Sequence, residues 1–326
     1  MPLQSTRGAG SAKGFGFTVG QTFIEATGGT VLTSGDFKTH IFTGDDTFTV
    51  TKAPGSQTVE YLVVAGGGSG TARVGGGGAA GGYRSNFPSP LTGGLAVTAT
   101  AYPVTVGAGA VSGQPVGDER SGLRGSPSVF STITSTGGGG GVGTLSAPGS
   151  PGPVTFFAPG GSGGGGANSP APLFGNPGTG NTPPVSPPQG NDGGKGGFLF
   201  GGGGGGGGGA VGNDETAGDG GPGGTGANIP DTFFGPTAPS YGTGGPVGST
   251  RYFAGGGGGG VWPNQSPGAG GTGGAGGGGA ARNTANRGPG DAGTASTGGG
   301  GGSATDAPGT GGSGGSGFVA IRYKFK

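Results

Sequence analysis

The chain has 326 residues, with 100 glycines, 27 prolines, no cysteine, and 15 basic against 14 acidic side chains. Glycine at this level without a strict Gly-X-Y period excludes collagen, and the missing cysteine excludes disulfides and thiolate metal sites. The scattered, balanced charge lacks the basic patch of a nucleic-acid binder, and no apolar run is long enough to insert in a bilayer.

Residues 1–24 read as a small, polar attachment or linker segment, with no apolar core of a secretory signal in residues 1–20. A location outside the cell then implies release by lysis, as for a virion. From Gly29 the texture changes. Thr30-Val-Leu-Thr33, Phe37-Lys-Thr-His-Ile-Phe42, Thr47-Phe-Thr-Val-Thr51 and Thr58-Val-Glu-Tyr-Leu-Val-Val-Ala65 are β-branched and aromatic runs parted by turn residues. This pattern predicts antiparallel strands joined by hairpins. Phe48 and Val50 alternate with threonines, so one face of their strand should be buried. Further strands are predicted at 96–100, 104–106 and 129–134. The last strand is Phe318-Val-Ala-Ile-Arg-Tyr-Lys-Phe325. It needs a partner to be stable, and Tyr61 to Ala65 is the nearest match in character. The platform is therefore residues 25–65 completed by 318–326, and residues 66–317 leave it and return to it.

That body carries glycine runs at 75–78, 137–141, 163–166, 201–209, 255–260, 276–279 and 298–302. An α-helix of glycine is disfavoured by about 1 kcal/mol per residue relative to alanine, and a glycine strand has no side chains to fix its register. The remaining ordered form is the extended, three-fold polyproline II helix, here polyglycine II. It makes no internal hydrogen bonds, so its amides can pair with neighbouring helices, and only glycine permits that approach. At about 3.1 Å per residue, residues 201–209 would span about 28 Å. Flexible linkers are the alternative reading of such runs; the strands that bracket them favour order. The expected fold is mostly irregular with β structure and no α-helix: a small antiparallel β platform carrying a bundle of polyglycine II helices.

Most chemical motifs dissolve on inspection. G-x-G-x-x-G recurs throughout without the strand and helix that give it meaning. Gly193-Gly-Lys-Gly196 lacks the Ser or Thr of a phosphate loop after Lys195. His40, the single histidine, reads as a half-exposed strand residue rather than a catalytic base. Asp214, Glu215 and Asp219 offer oxygen ligands of the kind calcium takes, with a solvated turn as the plainer reading; no metal or cofactor is expected. The chain does not read as an enzyme. Proline-rich loops at 169–189, 229–247 and 261–267 carry the large side chains. Phe233, Phe234, Tyr241, Trp262 and Phe174 are the candidate receptor-binding residues, with capping of the bundle end as the competing role for Phe233 and Phe234. Loop 229–247, stiffened by Pro230, Pro236, Pro239 and Pro246, is expected at the free end.

Several strings resemble a known family. They are Val59-Glu-Tyr-Leu-Val-Val-Ala-Gly-Gly-Gly68, Ala80-Gly-Gly-Tyr-Arg84, Val104-Thr-Val-Gly-Ala108 and Gly317-Phe-Val-Ala-Ile-Arg-Tyr323. They are similar to the glycine-rich domain family of tailed-phage tail fibre and tip adhesin proteins, abundant in marine and cyanobacterial phages. The resemblance implies a virion or extracellular protein that binds a host cell-surface glycan or protein through distal loops. Other virion proteins would attach through the N-terminal segment, and a homo-oligomer stays open. A purely structural virion protein, such as a head fibre or fibre shaft, and an ice-binding polyglycine II protein are the alternatives.

Overall fold

The computed structural model describes residues 23–72, 75–88, 94–112, 121–143, 159–167, 175–197, 201–235, 241–262, 268–305 and 309–326. Its strands are β1 (Glu25–Thr27), β2 (Thr30–Ser34), β3 (Phe37–Phe42), β4 (Asp46–Lys52), β5 (Thr58–Val64), β6 (Tyr83–Ser85) and β7 (Leu95–Ala96). They continue with β8 (Ala101–Thr105), β9 (Ser128–Phe130), β10 (Ile133–Ser135), β11 (Ala227–Pro230), β12 (Thr250–Phe253) and β13 (Phe318–Lys324). A single 3₁₀ turn, Asp231–Phe233, is the helical element among the described residues.

The strands form open antiparallel sheets. The first runs β1-β4-β8-β9-β10 and the second β2-β3-β13-β5-β6, with β7 also on β5. The closing strand pairs with β5 as the sequence suggests, Ile321 opposite Tyr61 and Phe318 opposite Val64. It also pairs with β3 on its other side, so the last strand is central. Residues 129–134, expected as one strand, are a hairpin. Phe130 lies opposite Ile133, and Ser131 turns the chain at φ 53. Strands β11 and β12, absent from the sequence reading, form a two-stranded ribbon.

Side-chain alternation splits the apolar residues into two cores. Tyr61, Val63, Val319, Ile321 and Tyr323 join Phe48, Val50, Val104 and Phe130 of the first sheet in one core. The opposite face of the second sheet presents Leu62, Val64, Phe318 and Ala320, covered by Ile229, Phe233, Phe234 and Phe253 of the ribbon. Strands β5 and β13 are thus buried on both faces over Tyr61–Val64 and Phe318–Ile321, so both of their faces carry apolar residues there.

The glycine body is built on a period of three. In residues 75–82, Gly76, Ala79 and Gly82 donate their amides to the carbonyls of Val142, Gly139 and Thr136. Gly77 and Ala80 donate to Gly203 and Gly206, and Gly78 and Gly81 to Gly301 and Gly298. The carbonyls alternate with them: Ala79 accepts from Gly68, Gly77 from Gly165 and Gly78 from Gly257. Segments 65–70, 136–142, 160–167, 201–209, 254–261 and 298–305 therefore surround this one. They are bonded to each other in that order, the ring closing through Gly301 N–H to Gly68 O. Segment 201–209 is enclosed in the same way. It donates to 254–260, 163–166 and 210–213, and accepts from 77–80, 191–194 and 221–224.

Enclosure explains the purity of the runs. A Cβ at Gly205 would lie 2.1 Å from the Gly78 oxygen, and one at Gly257 2.1 Å from the Gly301 oxygen. Segments at the periphery have one open side, and there every third residue escapes. Ala269 and Thr272 are exposed, as are Asp192 and Lys195, while the glycines between Asp192 and Lys195 are buried. The triplet Gly-Gly-X is thus present locally, in strings such as Gly270-Gly-Thr-Gly-Gly-Ala275, although the whole chain has no such period.

Candidate functional site

Each body segment has a platform end and a far end, fixed by the strands it adjoins. Residues 65, 82, 226, 254 and 317 directly flank β5, β6, β11, β12 and β13, so residues 70, 75, 220, 260 and 311 lie at the far end. The five aromatic candidates divide along this axis. Phe174 lies outside the described residues. Trp262 follows segment 254–261 and is half-buried at the far end, beside Val261, which bridges to Gly201.

Phe233, Phe234 and Tyr241 are brought together, but at the platform. The Phe234 ring centroid is 6.0 Å from that of Phe318, Tyr241 is 5.3 Å from Phe318, and Phe233 is 5.1 Å from Phe87. Thr39 donates its hydroxyl to the Phe233 carbonyl at 3.1 Å. The described parts of loop 229–247, residues 229–235 and 241–247, therefore lie at the platform rather than at the free end. Its flanks pair as a ribbon, and Ile229, Phe233 and Phe234 cover the outer apolar face of the second sheet. Phe233 and Phe234 are 0 % and 3 % exposed, so as folded they close a core and offer a partner no ring surface. Tyr241 remains half-exposed.

The far end collects polar side chains instead. Residues 283–287 form an exposed turn held by Asn286 N–H to Asn283 Oδ1 at 2.7 Å. Thr284 ties this turn to the Gly268 carbonyl, where the loop begun at Trp262 returns. Arg282 pairs with Asp291 at 2.5 Å and donates Nε–H to the Pro289 carbonyl. An indole, and amides, hydroxyls and a guanidinium at the same end of the body, are side chains that suit a sugar or a polar protein surface. Sequence reading picked Trp262 but passed over Asn283, Thr284 and Asn286. Their signal was a stretch of side chains with capacity for hydrogen bonding, interrupting glycine without proline or aromatics.

The acidic residues have a structural task. Asp214 accepts the Lys195 amide at 2.7 Å, Asp219 the Ala269 amide at 2.7 Å, and Glu215 the Gly218 amide at 3.1 Å. Asp192 takes the Gly180 amide at 2.7 Å. Edge amides that face no neighbouring carbonyl are thus satisfied by carboxylates. No group of three histidine, aspartate or glutamate residues converges on a metal-sized space among the described residues. No helix among them is long and apolar enough to cross a membrane. His40, read as half-exposed, is instead wholly buried. Burial holds its pKa below the ordinary 6.5, opposed by the bond to Gly28 and aided by Lys38.

Compared with known families, residues 43–324 match the one described as a glycine-rich domain. No curated protein matches the chain.

Proposed function

The chain belongs to the glycine-rich domain family, and from that premise we propose that it is a rigid virion module, a phage fibre or tail-tip protein that binds a host-surface glycan or protein. In this reading the body is a bundle of polyglycine II helices. The three-residue period of its donors, directed to successive neighbours, supports that form. Rigidity is what such a body supplies; it has almost no side chains with which to recognise anything.

The observation that carries the reading is the separation of the two ends. The platform holds both cores and the buried aromatics, while the far end offers Trp262, Asn283, Thr284 and Asn286 on loops set on a stiff scaffold. Loops on rigid scaffolds are where binding residues concentrate. Contact is therefore proposed at the far end, through Trp262 and the turn at 283–287. Attachment to the particle is proposed at the platform, through residues 1–24. The chain acts in this scheme without catalysis or cofactor.

The test has two parts. Antibody labelling of purified virions should place the chain on the particle, with the far end outward. A Trp262→Ser, Asn283→Ala double variant should keep its melting temperature and lose adsorption to host cells. Absence from virions would sink the virion role. Undiminished adsorption would leave the purely structural fibre as the better reading.

A further inference from the structure

Charge is unevenly placed along the molecule. Strand β13 leaves the body at Gly317 and ends at Lys324, so Lys324 marks the base of the platform, the end away from the body. Phe37 lies opposite Lys324, and the Phe23 ring is 5.9 Å from Lys324 Nζ. Glu25 follows Phe23 and lies opposite Lys52. The base therefore gathers Lys38, Lys52, Lys324 and Lys326 against Glu25 and Asp36. Asp45 and Asp46 stand at the other end of β4, where they accept the amides of Val106, Gly29 and Thr47. Residues 1–22, which join the base at Phe23, add Arg7 and Lys13 and no acidic residue. Together these are six basic against two acidic side chains, and the rest of the chain has nine basic against twelve acidic. A chain that is nearly neutral as a whole is thus cationic at this end.

Part of that charge is not engaged. Lys52 pairs with Glu25 at 2.9 Å, and Lys324 reaches Asp36 only at 3.8 Å. Lys38 and Lys326 have no acidic partner among the described residues. Both stand around one ring, their Nζ atoms 4.9 and 5.3 Å from the Phe325 centroid. Phe325 is half-buried and is fixed by its N–H to the Asp36 carbonyl at 2.9 Å. A ring attracts an ammonium but supplies no oxygen acceptor, so both lysines can take an anion without breaking an existing pair. Arg322, further toward the body, is already held by Glu60 and lies 3.6 Å over the Phe37 ring. The planar fork that suits phosphate is thus occupied, and the free donors are lysine ammoniums.

We propose that the base of the platform docks an acidic protein segment: carboxylates of the partner bind Lys38 and Lys326, with Lys324 beside them, and an apolar side chain of the same segment covers Phe325. The proposal rests on the reading in which the platform is the attached end, and it names the chemistry that the attached surface presents. Charge complementarity selects this occupant. Nucleic acid requires a longer basic stripe, and its phosphates favour arginine forks. A second copy docked base to base would set lysine against lysine. The excess of acidic side chains elsewhere in the chain gives it a polarity that turns the base toward an anionic partner during encounter.

Fluorescence anisotropy on the full chain tests the surface, with a labelled peptide that carries two glutamates on each side of a phenylalanine and the same peptide with glutamines. The acidic peptide should bind about tenfold more tightly, and added salt should erase the difference, because exposed charges are screened. Lys38→Glu and Lys326→Glu should each weaken its binding severalfold and together by about tenfold. Lys326 lies beyond β13, so its reversal leaves the sheet intact. Lys195→Glu, at an exposed lysine of the body, should bind as the parent does. Equal binding of the two peptides, an equal loss from Lys195→Glu, or tighter binding of a single-stranded oligonucleotide of equal charge or of phosphatidylglycerol vesicles would each overturn the proposal. Labelling of virions tests the particle role separately. A chain missing from virions that still selects the acidic peptide upholds the docking surface, and a chain present on virions without that selectivity overturns the surface alone.

Discussion

Gly205→Ala isolates what holds the body together, because it adds one methyl at the middle of the longest glycine run. A Cβ there would lie 2.1 Å from the Gly78 oxygen and 2.6 Å from its carbonyl carbon. Ordinary contact needs about 3.5 Å, so segments 201–209 and 75–82 must part by about 1.4 Å. Two bonds cross that interface, Gly77 N–H to Gly203 O and Ala80 N–H to Gly206 O, both 3.0 Å. Lengthened to about 4.4 Å they cease to be hydrogen bonds. Each buried amide left without a partner costs about 1–3 kcal/mol, so the substitution should cost about 2–6 kcal/mol. That is a large share of the roughly 5–15 kcal/mol that a typical domain has. Differential scanning calorimetry or urea unfolding measures it. Gly244→Ala is the matched control, since a Cβ there meets nothing within 4 Å, and it should change stability by less than about 0.5 kcal/mol. Equal stability for the two variants would refute the claim that close backbone packing carries the fold.

Other outcomes follow from the same structure. Truncation after Gly317 removes β13, which pairs with both β3 and β5; the product should be insoluble or unfolded, and a monodisperse folded product would break the platform argument. Phe233→Ser with Phe234→Ser should lower stability by several kcal/mol, since emptying one buried aromatic site costs about 3–5 kcal/mol; unchanged melting would mean the rings do not close the second core. Asp219→Ala should cost about 1 kcal/mol by orphaning the Ala269 amide, while Asp219→Asn, which keeps an acceptor, should recover most of it in the same assay.

How much of this was legible in the sequence depended on the range of the interaction. Strands β3, β4, β5 and β13 were written into local alternation and apolar runs, and their boundaries fall within a residue or so of the reading. The need for backbone-to-backbone pairing in the body was also determined by sequence alone, because nine consecutive glycines have no other means of being ordered. The ribbon β11–β12 was not legible: Asn228, Pro230 and Arg251 show no strand pattern, and the pairing depends on the apolar sheet face beneath it. The same holds for the candidate site. Phe233 and Phe234 have identical local signals whether they face a partner or a core. Only the tertiary structure, by leaving Leu62, Val64, Phe318 and Ala320 in need of cover, decided for the core.

The sequence by itself also determined which glycine runs are pure and which are interrupted, but not why. Residues 201–207 are all glycine where neighbours bury them, whereas Ala269 and Thr272 stand where one side is open to solvent. Which side of a segment is open to solvent is a property of its neighbours, not of the segment. The burial of His40 between Gly28 and Tyr323 is of the same kind. Alternation along β3 assigns it to a face, but its partners come from opposite ends of the chain, and only the pairing of β3 with β13 brings them within reach.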